Sequence, residues 1–134
     1  MEVNNDHKGL NFIQWPAMVC GPMVDQSELP FRLLTRRYGC NLAYTPMLHS
    51  KMMTTQKGYK AIHFTTCPQD RPLVAQICGH DPDVMVKAAK MLEDEVDAID
   101  VNFGCPQNIA KRGHYGSFLL EEPDLVERVV TALS

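Results

Sequence analysis

The feature that most constrains this chain is an alternation. Short runs that are apolar on both faces recur at residues 16–23 (PAMVCGPM), 40–45 (CNLAYT), 72–78 (PLVAQIC) and 97–102 (DAIDVN), and each reads as a buried strand. Between them lie stretches with helical spacing. Pro30 stands near a helix start, residues 31–38 continue it, and Gly39 is a natural stop. Residues 46–53 fit a turn and a short helix. Asp81-Pro82-Asp83 supplies a cap and a first-turn proline for a helix whose expected inner face is Val84, Ala88, Met91 and Leu92. Pro123 opens a last helix through Leu125, Val126, Val129 and Val130. Residues 1–15 are polar and expected to be loose, 54–71 are expected to be a loop, and 103–116 a Gly-rich loop. Strands alternating with helices imply βαβ units and an α/β fold with a parallel sheet, covered by helices because its strands are apolar throughout. About four such units fit into residues 16–134, whereas a closed (β/α)8 barrel usually takes roughly 250 residues. The expectation is therefore half a barrel or a small open α/β domain.

Composition narrows the class. The apolar fraction of 45% and charged fraction of 22% are ordinary for a soluble globular chain. No apolar run approaches the roughly 20 residues of a membrane helix, so no membrane partner is expected. The polar N-terminus lacks the marks of a secretory or organelle signal, which makes the cytoplasm, or the nucleus, the expected location. Cys20, Cys40, Cys67, Cys78 and Cys105 are odd in number and widely spaced, without a CxxC pair. Neither a metal site nor a disulfide framework is expected, and most of these thiols should be small buried apolar groups. The net charge of −3 argues against nucleic-acid binding by this segment alone. Arg36-Arg37 reads as an exposed helix end favourable to the helix dipole.

The polar residues at strand ends carry the chemistry. Met23, Gln76 and Asn102 each close an apolar run, and in a barrel the C-terminal strand ends build the active site. A buried amide without partners costs roughly 1–3 kcal/mol, so two amides on neighbouring strands suit a polar ligand, with a structural role for each as the plain alternative. Cys105 lies three residues past Asn102, between Gly104 and Pro106. A cysteine in such a loop is placed for reactivity, and an ordinary loop thiol is the alternative. Lys111, Arg112 and His114 follow it, fit either to approach RNA phosphate or to be a solvated loop. Tyr115 fits stacking on a base or packing. His49, His63 and His80 show no ligand spacing and read as ordinary histidines.

Three blocks in order carry a resemblance: Pro22-Met23 with Val24-Asp25-Gln26-Ser27, the strand end Val74-Ala75-Gln76, and Asp100-Val101-Asn102-Phe103-Gly104-Cys105-Pro106, extended by residues 107–116 (QNIAKRGHYG). From about residue 17 to 134 the chain resembles tRNA-dihydrouridine synthases. Tyr44-Thr45-Pro46-Met47 and Asp70-Arg71-Pro72 fit the eukaryotic branch acting on uridines 16 and 17 of the tRNA D-loop. The resemblance implies an FMN-binding TIM barrel followed by a helical domain, reducing the C5–C6 bond of uridine in tRNA with NAD(P)H as reductant. It implies that Cys105 is the general acid, as a thiol rather than a thiolate. It further implies that Pro22, Met23 and Gln76 contact the flavin and that Asn102 lies between flavin and uracil. The target base must leave its stack to reach the site. Gly21 departs from the family's usual alanine. The family's flavin-phosphate residues and RNA-binding domain are expected beyond residue 134, which makes a fragment of the enzyme the expected nature of this chain. Three alternatives stay open: a flavin barrel reducing free pyrimidines or other small molecules, a truncated non-catalytic form that binds RNA or a partner, and a small redox or metal domain using the scattered cysteines and histidines.

Overall fold

The computed structural model describes residues 11–134. Of the expected loose segment, residues 1–10 lie outside the described residues, and 11–15 form neither helix nor strand. The elements are β1 (Val19–Cys20), α1 (Leu29–Arg37), β2 (Leu42–Tyr44), β3 (Leu48–His49), α2 (Ser50–Thr55), α3 (Tyr59–His63), β4 (Leu73–Cys78), α4 (Pro82–Lys90), β5 (Ala98–Val101), α5 (Asn108–Gly113) and α6 (Pro123–Leu133). Short 3₁₀ turns occupy Glu93–Glu95 and Gly116–Glu121.

Every strand pairing is parallel. β1 pairs β2, β2 pairs the start of β4 (Ala43 with Leu73), and β3 pairs its end (Leu48 with Ile77). β5 runs beside β4 from Val74–Ala98 to Ile77–Val101. Because β4 has only two edges, β2 and β3 share one and β5 holds the other. The order is then β1, β2 with β3, β4, β5, which is chain order, as in a β/α barrel wall.

Period-two alternation sorts the side chains. Leu73, Ala75 and Ile77 of β4 join Met85, Ala88 and Leu92 below α4 and Leu125 and Val129 of α6 in the main core, with Ile99 and Val101 of β5 packed against it. Each fully buried aliphatic side chain there contributes about 1.5–3 kcal/mol. Val74, Gln76 and Cys78 point the other way, as does Asp100, toward the barrel interior. α4 starts as the sequence implied, with the Val84 N–H donating to Asp81 Oδ1 at 3.1 Å. α1 stops at Gly39, whose φ of +97° needs a residue without Cβ. There the N–H of Cys40 reaches Thr35 O at 3.1 Å.

Several expectations are corrected. β3 lies inside the expected turn, and α3 and α5 each put one to two helical turns into expected loops. The inner face of α4 is Met85 and Ala88, with Leu92 just past its end, each 0% exposed, while Val84 is only partly buried and Met91 is 40% exposed. Val130 of α6 is also exposed. Of the cysteines, Cys20 and Cys78 are buried, and Cys40, Cys67 and Cys105 only partly so. Arg36 is not a free helix end: its Nε donates to Asp70 Oδ1 at 3.3 Å and its NH2 group to Pro72 O at 2.8 Å. Arg37 is exposed as expected. Arg32 completes this buried centre, donating to Asp70 Oδ2 at 3.0 and 2.6 Å, to Thr65 O at 2.7 Å and to Ser27 O at 2.7 Å. Two arginines on one carboxylate, with three backbone carbonyls taking further donors, meet the condition under which buried charge is tolerated. The described residues contain no helix long and apolar enough to cross a membrane.

Candidate active site

The C-terminal ends of parallel strands face one rim, and the loops after β1 and β5 meet it there. Gln76 sits inside β4, 7% exposed, and is registered opposite Asp100 of β5. Its Nε2 donates to Asp100 Oδ2 at 2.7 Å, and its Oε1 accepts from Asn102 Nδ2 at 3.1 Å. Asn102 Oδ1 in turn accepts from the N–H groups of Gly104 (3.1 Å) and Cys105 (2.9 Å). This is an Asx turn, the reason an asparagine suits the residue just after the strand. The Cys105 carbonyl accepts from both the N–H and the hydroxyl of Ser117, each at 3.1 Å. Gly116 closes that clamp. It adopts φ +72°, and a Cβ there would lie 2.4 Å from Cys105 O, so no other residue fits without a shift.

The structure therefore joins Gln76, Asn102 and Cys105 in one hydrogen-bonded chain. The side of Cys105 away from solvent packs against a small buried cluster of Cys78, Ala110 and Tyr115. Burial, and secondarily the Cys105 thiol, push the Cys78 thiol up to about 12, so it stays a neutral packing group. The Tyr44 hydroxyl is also pushed up, by burial first and by the Asp100 carboxylate second, which leaves it a donor beside that charge.

Pro22 and Met23 stand in the loop after β1, half-buried. Ser27 Oγ accepts from the Met23 N–H at 2.9 Å and donates to its carbonyl at 3.1 Å. No hydrogen bond links this loop to Gln76 or Asn102 among the described residues. Lys111 and Arg112 lie exposed on α5, just beyond the cysteine, and Lys111 Nζ stands 5.9 Å from the Phe118 ring centre. His114 follows in a left-handed conformation, its Nε2 2.5 Å from Glu122 Oε1 and its ring 4.5 Å from that of His80. Tyr115 resolves to packing, being 5% exposed. Among the described residues no group of three His, Cys, Asp or Glu could hold a metal.

Sequence reasoning passed over Asp100, Ser27 and His49. The first two lay within motifs already quoted, but their partners are set by the folded register. His49 was read as ordinary. It ends β3 at the same rim, meets Tyr115 edge-on at 5.5 Å, and has a buried Nδ1 without a hydrogen-bond partner. Burial, then Lys51 and His80, push its imidazole down from the ordinary 6.5.

Parallel β/α units with a polar strand-end chain leading to a loop cysteine define a barrel enzyme segment of the TIM type. Residues 18–134 match the family described as Dihydrouridine synthase (Dus), and the chain belongs to that family. It is 53% identical over 121 residues to the tRNA-dihydrouridine(16/17) synthase, NAD(P)(+), of Saccharomyces cerevisiae, covering 88% of this chain and 29% of that protein. It is 54% identical over 114 residues to the Mus musculus protein named as like the same enzyme, covering 84% and 24%. With the Schizosaccharomyces pombe tRNA-dihydrouridine(16/17) synthase it shares 50% identity over 125 residues, covering 92% and 31%. The chain thus spans between about a quarter and a third of the length of these relatives.

Proposed function

We propose that this chain forms part of the catalytic barrel of a tRNA-dihydrouridine synthase that reduces uridines 16 and 17 of the D-loop. The single observation that carries the reading is the Gln76–Asn102–Cys105 chain at the strand-end rim, within a segment about half identical to the 16/17 synthases. The cofactor is FMN, with NAD(P)H as reductant, and when bound it supplies the hydride delivered to C6 of the uracil ring.

The residues present suit a flavin. After serving Asp100 and Asn102, the Gln76 amide retains one N–H and one lone pair, and Asn102 retains one N–H. These complement a ring edge that alternates N–H and carbonyl groups. Pro22, and Met23 pinned by Ser27, would hold the ring from the loop after β1. Asn102, bonded to the Cys105 N–H, would also meet the uracil.

Cys105 holds the proton that C5 receives. An acid in this step must act as the thiol rather than the thiolate. Its backbone is fixed on both sides, by Asn102 at the N–H and by Ser117 at the carbonyl. Fixed placement of an acid within reach of the reacting atom is where such a group gains its effect. Lys111, Arg112 and His114, just beyond Cys105, would approach the tRNA backbone. The net charge of −3 gives this segment little general attraction for RNA, so most of the affinity comes from elsewhere in the protein.

The test uses the FMN-loaded protein carrying this segment, NADPH, and tRNA transcribed without modification. Nucleoside mass spectrometry is expected to find dihydrouridine at positions 16 and 17. Reduction of free uracil with tRNA left unchanged would favour a small-molecule reductase and contradict the reading.

A further inference from the structure

We propose that Asp100 is a positioning residue that sets the direction of the amide chain holding Cys105. The functional part of this rests on Cys105 acting as the proton donor. Primary amides are nearly symmetrical in shape, so neighbours decide which end is oxygen and which is nitrogen. A carboxylate has only acceptors to offer. At 2.7 Å from Asp100 Oδ2, the Gln76 side chain can only present its NH2 group. Its oxygen then faces Asn102, which must answer with its own NH2 group. The Asn102 oxygen is left facing the N–H groups of Gly104 and Cys105, which have only hydrogens to offer.

The chain therefore has an acceptor-only group at one end and two donor-only groups at the other. Turned the opposite way, it would place a carbonyl against the carboxylate and an NH2 group against two N–H groups. The β4–β5 register, with Gln76 opposite Asp100, brings the carboxylate to the first amide. An asparagine at 100 would fill the same space but fit either direction, leaving the Gly104 and Cys105 N–H groups alone to hold Asn102 and so weakening its grip on the Cys105 loop.

The experiment compares three forms of the FMN-loaded enzyme carrying this segment: wild type, Asp100→Asn, and the double variant Asp100→Asn with Gln76→Glu. The first readout is amide hydrogen exchange at Gly104 and Cys105. Loss of one ordinary hydrogen bond corresponds to about a tenfold change, so these amides should exchange about tenfold faster in Asp100→Asn while β4 is unaltered. Uridine reduction by pre-reduced enzyme should slow by about tenfold, because that step uses the Cys105 loop.

The double variant moves the acceptor-only group to position 76, where it again compels Asn102 to present nitrogen. Protection at Gly104 and Cys105 should return there, whatever the altered charge does to turnover. A purely structural role for Asp100 would not be rescued in this way. Unchanged protection in Asp100→Asn, or fast exchange in the double variant, overturns the proposal. If Asp100→Asn does not fold, exchange in the double variant against wild type decides alone. A wild-type enzyme that leaves tRNA uridine unreduced contradicts the proposed function and leaves the exchange result standing.

Discussion

The loop after β1 and the loop after β5 meet the same rim, and one small polar side chain pins each of them. Ser27 holds both backbone groups of Met23, and Asn102 holds the N–H groups of Gly104 and Cys105. They differ in what stands behind the pin. Behind Ser27 lies Arg32, 1% exposed, tied to Asp70, 0% exposed, with Arg36 as a second partner. That centre is built of charge buried between helix and sheet, and it anchors Thr65 and Pro72 as well. Behind Asn102 lie Gln76 and then Asp100, a row of side-chain hydrogen bonds between β4 and the end of β5, with the Gln76 N–H donating to Thr45 Oγ1 at 3.1 Å. The first loop is held by part of the fold's own support. The second is held by two amides and a carboxylate that themselves line the candidate site. Damage behind the first should cost stability, and damage behind the second should cost chemistry.

The largest effect on stability is expected at Asp70. Asp70→Ala leaves Arg32 with its charge buried and unmatched, which typically costs about 3–5 kcal/mol. A denaturant titration of the enzyme carrying this segment checks it. A loss below about 1 kcal/mol would mean that the two arginines find water, and would erase the contrast between the loops. Gly116→Ala should come next. Its Cβ meets Cys105 O at 2.4 Å in a left-handed backbone, so a cost of about 1–3 kcal/mol is expected. The contrast predicts that turnover falls more steeply than the melting temperature, because the displaced group is the Cys105 carbonyl. Equal loss of both in Gly116→Ala and in a β1-loop variant such as Ser27→Ala would blur the distinction.

The smallest effect concerns pH. The His49 imidazole is pushed below 6.5, chiefly by burial, so the folded chain stays neutral where the unfolded chain binds a proton. Stability should therefore be complete above 6.5 and decline as pH falls below it. His49 is only partly buried, which keeps the decline shallow. His49→Gln should flatten it, and unfolding curves at two pH values make the comparison. An unchanged slope would place the acid sensitivity elsewhere.

Much of this was legible in the sequence, for physical reasons that also explain the rest. β4 and β5 announce themselves because strands covered by helices are apolar on both faces. α4 does so through Asp81 and Pro82. β3 has two residues directly after Pro46-Met47 and carries no period to detect. α3 and α5 are too short for helical spacing to show. Cys105 stood out because glycine and proline around a thiol are poor packing material. Arg36 was misread as an exposed helix end because its partner Asp70 lies 34 residues away and no local pattern joins them. Asp100 was quoted as a strand residue, yet its significance depends on the β4–β5 register, which sets it opposite Gln76. The direction of the amide chain is visible only in three dimensions.

The most direct test of the central claim replaces the acid alone. The FMN-loaded enzyme carrying this segment, as wild type and as Cys105→Ala, is reduced with NADPH and mixed with unmodified tRNA in a single turnover, with flavin oxidation and dihydrouridine both followed. Removal of a general acid typically costs a factor of about 10²–10⁴. The account predicts that Cys105→Ala keeps its flavin, accepts hydride from NADPH at the wild-type rate, and forms dihydrouridine slower by that factor. Dihydrouridine formed at the wild-type rate by Cys105→Ala would contradict it.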